Sequence, residues 1–149
     1  MRTCTLSWSA SYVNKDFNAS YSFVLGCNDL FRGDSILYIE LPSTFSTKNK
    51  IGDNYCTSAE STTLVEDLCH LTYINGSLML WTELQATSQT SLTLLMNLIN
   101  PTNNTYSANA FVKSRGVTYA ETEDSYLTIL STSYQTANNK SVYLKNSPK

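Results

Sequence analysis

Charge is the scarcest ingredient of this chain. Asp, Glu, Lys and Arg make up 15% of its 149 residues, well below the roughly 25% of ordinary globular proteins. The net charge is −2 and no run of Lys or Arg occurs. A surface that tracks phosphates needs a basic stripe, so nucleic acid is not an expected partner. Glycine is also scarce, with five residues well scattered, which removes a Gly-rich phosphate loop. His70 is the single histidine. No apolar stretch is long enough for a helix to cross a bilayer, so membrane insertion is not expected. Met1-Arg2 leads into no apolar leader, so the expectation is a removed signal or a segment of a longer chain.

Ser, Thr and Asn fill the space that charge leaves, together with ten tyrosines. Hydrophobic residues reach 42%, enough for one core in one domain with a possible tail. Good helix formers are sparse, while Thr, Tyr, Val and Ile favour strands.

The opening stretch is the most informative. Leu6, Trp8, Ala10 and Tyr12 alternate with Thr5, Ser7, Ser9 and Ser11, the period of a strand with one dry face. Tyr21, Phe23 and Leu25 repeat the pattern against Ser20, Ser22 and Val24. Folding the two about Asn14-Lys15-Asp16-Phe17 sets Ala10 on Tyr21, Trp8 on Phe23 and Leu6 on Leu25. The next pair outward is Cys4 with Cys27. One register thus matches the apolar positions and aligns two cysteines, which predicts an antiparallel hairpin closed by a disulfide. Four cysteines allow three connectivities, and two unrelated buried thiols are the alternative. Such a bridge implies an oxidising, extracellular setting.

Further along, residues 28–34 read as a loop and Ile36 to Leu41 as a central strand, apolar on both faces, ended by Pro42. Residues 43–55 are polar, with a turn signal at Gly52-Asp53-Asn54. Cys56 and Cys69 bracket an acidic segment, with Glu60, Glu66 and Asp67 on a short helix or an open loop. A bridge between them would close that loop, worth about 3 kcal/mol in the chain-entropy model. Asn75-Gly76 predicts a type I′ hairpin into a return strand, Leu78 to Leu84. Leu92 to Ile99 is another central strand, Asn100 to Asn104 a turn, and Arg115-Gly116 a tight turn between strands 106–113 and 117–120. Turns at this spacing predict an all-β, antiparallel, disulfide-stapled sandwich of seven to nine strands.

The domain expectation is a sandwich over 1–120 and C-terminal strands over 121–149. Ser133-Tyr134, Asn139 and Ser141-Val142-Tyr143 echo Ser11-Tyr12, Asn18 and Ser20-Tyr21-Ser22, so the tail reads as the start of a second copy. Two extra strands of the same domain, or a strand exchanged with a neighbour, are the alternatives.

Several local motifs occur together: Leu41-Pro42-Ser43-Thr44-Phe45-Ser46, the Cys56 and Cys69 pair, Ile74-Asn75-Gly76-Ser77-Leu78, and Asn97-Leu98-Ile99-Asn100-Pro101-Thr102 before Ala110-Phe111-Val112. Residues 3 to 120 resemble the immunoglobulin-like modules repeated in large surface and secreted proteins of ciliates and related protists. The resemblance implies tandem modules in an extracellular coat, fibre or adhesive structure, and it brings no catalytic residue. Cys4 and Cys27 depart from that pattern, so their bridge rests on register alone.

Chemistry is mostly missing. His70 beside Cys69 suggests a thiolate pair, but neighbours on a strand face opposite ways. The cysteines lack zinc spacing. Asn14 to Asn18 alternates oxygen ligands like the start of a calcium loop, without its glycine or final acid, and reads as a solvated turn. Glu121, Glu123 and Asp124 read as a linker, with a junction calcium site as the sharper alternative. No cofactor or enzyme activity is expected. Asn18, Asn75, Asn103 and Asn139 head Asn-x-Ser/Thr sequons at or beside predicted turns, so covalent glycans are expected on at least two of them. Trp8 and Trp81 suggest a sugar platform, yet both read as core. The expectation is therefore a structural extracellular module that self-associates or stands in tandem. An adhesin or lectin-like module, binding through end loops such as 28–34, is the rival.

Overall fold

The computed structural model describes residues 2–47, 56–59, 64–65, 69–86 and 89–131, the side chains of Arg2, Thr3 and Cys56 excepted. The expected turn at Gly52-Asp53-Asn54, the acids Glu60, Glu66 and Asp67, sequon Asn139 and the repeat-like residues 133–143 lie outside the described residues. The named elements are all strands: β1 Arg2–Ala10, β2 Asn18–Cys27, β3 Ser35–Pro42, β4 Cys56–Ser58, β5 His70–Ile74, β6 Ser77–Leu84, β7 Ser91–Ile99, β8 Asn104–Ser114, β9 Val117–Thr122 and β10 Ser125–Ile129. Their order across the sheet is β4-β7-β2-β1-β9-β8-β3-β6-β5, with β10 also on β8.

The opening hairpin has the expected register. Cys4, Leu6, Trp8 and Ala10 of β1 pair with Cys27, Leu25, Phe23 and Tyr21 of β2. These residues face inward because alternate side chains of a strand share a face. Trp8, Phe23, Leu94, Leu37, Ile39, Leu80 and Val112 belong to one continuous core, so both halves of the ladder enclose it. Phe45, which follows β3, ties them together: its ring centroid lies 5.6 Å from Trp8 and 5.4 Å from Tyr106. The result is an all-β, sandwich-like body.

One pairing departs from the antiparallel expectation. β1 runs parallel to β9 through Arg2↔Ala120, Thr3↔Glu121 and Cys4↔Thr122. The sheet is therefore mixed. Alternating apolar residues identify the buried face of a strand but not the direction of its second neighbour. Ten strands are named, against seven to nine expected; the three-residue β4 was not visible in the periodicity, whereas β10 falls within the C-terminal strands expected after residue 120.

The boundary expected at residue 120 falls inside β9. β10 then continues along β8, and its Leu127 and Ile129 are buried. Leu130 N–H donates to the Val13 carbonyl at 2.7 Å, and Lys15 N–H donates to the Leu130 carbonyl at 3.0 Å. Leu127 and Ile129 thus join the same core, with Leu130 packed against it. Two hairpin tips carry the backbone that their residues favour: Asn75 (φ 51°) with Gly76 (φ 82°), and Arg115 (φ 54°) with Gly116 (φ 81°).

A buried polar clamp closes the turn end of the first hairpin. Asn100, just past β7, is 1% exposed. Its amide group donates to the carbonyls of Tyr12 (2.9 Å) and Asn14 (2.8 Å), and its side-chain oxygen accepts from the Tyr21 hydroxyl. Its backbone N–H donates to Phe17 at 2.8 Å, and its carbonyl accepts from Asp16 at 3.0 Å. One side chain thereby satisfies groups that the turn takes out of the ladder.

Two stability predictions follow from these contacts. The Cys4–Cys27 bond spans 23 residues, so a Cys4→Ser/Cys27→Ser variant should lose about 3 kcal/mol and melt on the order of 10 °C lower. Tyr21→Phe should cost about 1–3 kcal/mol in urea unfolding, since the Asn100 oxygen loses its donor while buried. Burial pushes the Tyr21 phenol above its ordinary value. An unfolded phenol ionises near pH 10 whereas the folded one stays protonated, so this contribution is intact below about pH 10 and is lost as the pH rises further. Tyr21→Phe should lack that part of the alkaline loss.

Candidate ligand face and modification sites

Cys4 and Cys27 are joined, with Cα atoms 4.2 Å apart. Cys69 is buried and disulfide-bonded; Cys56 sits in β4, its side chain outside the described residues. His70 follows Cys69 but faces the other way, half-buried on the outer surface, so no Cys-His pair forms.

Asn18, Asn75 and Asn103 are all exposed. Asn75 sits at the tip of the β5–β6 hairpin. Asn18 opens β2, and Asn103 immediately precedes β8. The Asn14 to Asn18 stretch forms no open oxygen-ligand loop. Asn14 is fully buried and bridges in parallel to Leu130. Glu123 and Asp124 line a pocket of about 350 Å³ with Cys4, Thr5 and Leu6, whereas Glu121 pairs with Phe111 on β8. The three carboxylates therefore do not stand as one set. Among the described residues no three of His, Cys, Asp or Glu are grouped to hold a metal ion.

The two tryptophans part company. Trp8 is core, 4% exposed, and its indole N–H donates to the Ser125 carbonyl at 3.0 Å. Trp81, expected in the core, lies half-buried on the outer face of β6. On β6 the residues Leu78, Leu80, Thr82 and Leu84 take the inward positions, which turns Trp81 and Glu83 outward.

Trp81 belongs to an aromatic row across four strands. The His70 ring on β5 stacks on Trp81 at 4.2 Å between centroids. Trp81 is the cross-strand partner of Tyr38 on β3. Tyr38 stacks on Phe111 of β8 at 4.9 Å with 15° between the planes. Lys113 Nζ stands 5.8 Å from the Tyr38 and Phe111 centroids. Such cross-strand aromatic pairs add about 0.5–1.5 kcal/mol each where well packed.

Beside this row lies a polar pocket of about 230 Å³. Glu40, Ser77, Ser107, Asn109 and Asp124 supply its polar lining. The Ser77 hydroxyl donates to Glu40 at 2.8 Å, and the Asn109 amide donates to Asp124 at 3.3 Å. Tyr126, 66% exposed, is the strand partner of Ser107. The strands are legible in the sequence but this assembly is not, because its parts come from β3, β6, β8, β10 and the bend before β10.

The contrast between the tryptophans is testable. Trp8→Ala should cost about 3–5 kcal/mol in denaturant unfolding, as large core truncations do. Trp81→Ala should cost much less, and quenching by a soluble quencher should reach Trp81 before Trp8.

No family model matches the chain, and no curated protein matches it. Solved structures do share its fold. A bacterial hydrophobin, BslA, superposes with a TM-score of 0.57 at 14% identity, over 89% of this chain and 97% of its own. A chain of the CaDoc0917–CaCohA2 complex gives a TM-score of 0.50 at 11% identity, over 85% and 100%. A non-cellulosomal cohesin from the archaeon Archaeoglobus fulgidus gives 0.49 at 9% identity, over 87% and 92%. At these identities the likeness is one of fold alone, and the BslA superposition carries it.

Proposed function

We propose that this chain is a non-catalytic, extracellular, glycosylated module of a surface coat or fibre, built as an immunoglobulin-like sandwich and arranged in tandem or self-associating. The supporting observation is the first hairpin, whose open end is fastened by the Cys4–Cys27 bond. Such bonds persist in oxidising compartments. The exposed positions of Asn18, Asn75 and Asn103 suit covalent sugar. No helix of the described residues is long and apolar enough to cross a membrane. The tandem arrangement extends the resemblance to repeated protist surface modules.

A second reading, an adhesive or lectin-like module, is favoured by the outward aromatic row of His70, Trp81, Tyr38 and Phe111. It moves the binding surface from the end loops to a sheet face.

Intact mass and electron microscopy test the leading reading. Protein secreted from a eukaryotic cell should show thiols only after reduction and should lose mass at two or more sequons on deglycosylation. The native material should form linear or layered arrays. Free thiols with monodisperse single particles at all concentrations would overturn it.

A further inference from the structure

We propose that the outer face of β8, β3, β6 and β5 binds a neutral glycan chain, with one sugar ring seated in the Glu40–Asp124 pocket and its neighbours lying along the aromatic row. This rests on the adhesive reading and is independent of fibre assembly.

Sugars present apolar C–H surface and a rim of hydroxyls, and this face offers a match for each. The row of His70, Trp81, Tyr38 and Phe111 is an apolar ridge of half-buried rings. The adjoining pocket holds two carboxylates, one amide and two hydroxyls. An ionised carboxylate only accepts hydrogen bonds, so the pocket calls for a ligand rich in donors. The Ser and Asn groups both donate and accept, as hydroxyl recognition requires.

Charge narrows the class. Glu40 and Asp124 line the pocket, Glu83 follows Trp81 on the outer side of β6, and Glu121 flanks Phe111. These carboxylates oppose phosphate, sulfate and uronate groups, which removes nucleic acid and acidic polysaccharide. Lys113 is held over the Tyr38 and Phe111 rings rather than over the pocket. A neutral glycan fits this balance.

Dimensions favour a short run of sugars over a single one. Phe111, Asn109 and Ser107 point to the same side of β8, and Tyr126 stands beside Ser107. At ~3.3 Å per residue, Phe111 to Ser107 spans about 13 Å. Three strand spacings of ~4.8 Å separate β5 from β8, about 14 Å across the row. A folded protein partner burying ~800 Å² on each side needs a broader patch than this strip.

The experiment uses the full chain, enzymatically deglycosylated so that its own sugars do not compete. It is presented to an array of neutral, acidic and amino-sugar oligosaccharides, with an Arg-rich peptide as a separate arm, and the strongest neutral ligand is then titrated by calorimetry. Neutral oligosaccharides should bind. Tyr38→Ala, Glu40→Gln and Asp124→Asn should each weaken that binding at least tenfold, with circular dichroism unchanged. Ser22→Ala on the opposite outer face should leave it unaltered. Absence of neutral-glycan binding, binding that survives both Tyr38→Ala and Glu40→Gln, or a preference for acidic glycans or the Arg-rich peptide would each overturn the proposal. Arrays under the microscope without any glycan binding would remove this inference and leave the fibre reading standing.

Discussion

The rest of the molecule depends on the double pairing of β1. One edge meets β2 antiparallel and the other meets β9 parallel. Without β1 the ladder would separate into β4-β7-β2 and β9-β8-β3-β6-β5. The second contact closes a loop of well over a hundred residues, and loop closure of that length is entropically unfavourable and slow to find. The first contact is local and is held by a covalent bond. A hairpin formed early offers β9 an ordered edge, so the local ribbon lowers what the distant pairing must overcome. Cys4 lies where the two requirements meet, paired with Cys27 on one side and Thr122 on the other.

The opposite end of the hairpin is held by hydrogen bonds instead of sulfur. Beyond Ala10 the chain leaves the regular ladder, and its backbone groups need other partners. Asn100 supplies them from the end of β7, and Leu130 supplies more from the end of β10. Two separate chain segments therefore converge on the stretch 12–17. A polar side chain this deeply buried is tolerable because its bonds are made, and it becomes a liability once one partner is removed.

The first hairpin was legible because a single register satisfied the apolar pattern and the cysteines together. Asn75-Gly76 was legible because few residue pairs accept two successive positive φ angles. Other features depended on partners that no local pattern names. Trp81 lies in a strand with apolar residues on both faces, so period two cannot assign its side; β3 and β5 decide it. Asn100 reads as a turn residue beside Pro101, since its hydrogen-bond partners lie 86 and 88 residues away. The parallel contact of β1 with β9 has no signature, because strand alternation looks the same in either direction. The break at Glu123-Asp124 looked like a linker, yet it is a bend between two strands on β8.

The two outer faces of the sheet differ in a way that folding does not require. On β1, β2 and β7 the outward positions include Ser7, Ser9, Ser20, Ser22, Thr93 and Asn97, with Val24, Leu95 and Ile99 as apolar exceptions. On β5, β6, β3 and β8 they include His70, Trp81, Tyr38 and Phe111 in one connected row. Both halves already bury their inward side chains in the common core, so neither outer composition is needed to close it. A connected apolar ridge on a chain so poor in charge invites association with other molecules. Ring stacking within the row hides part of that surface, and Glu40, Glu83 and Glu121 border the remainder. The Ser-rich face shows that this fold can present a plain wet surface, so the core itself does not require the aromatic ridge.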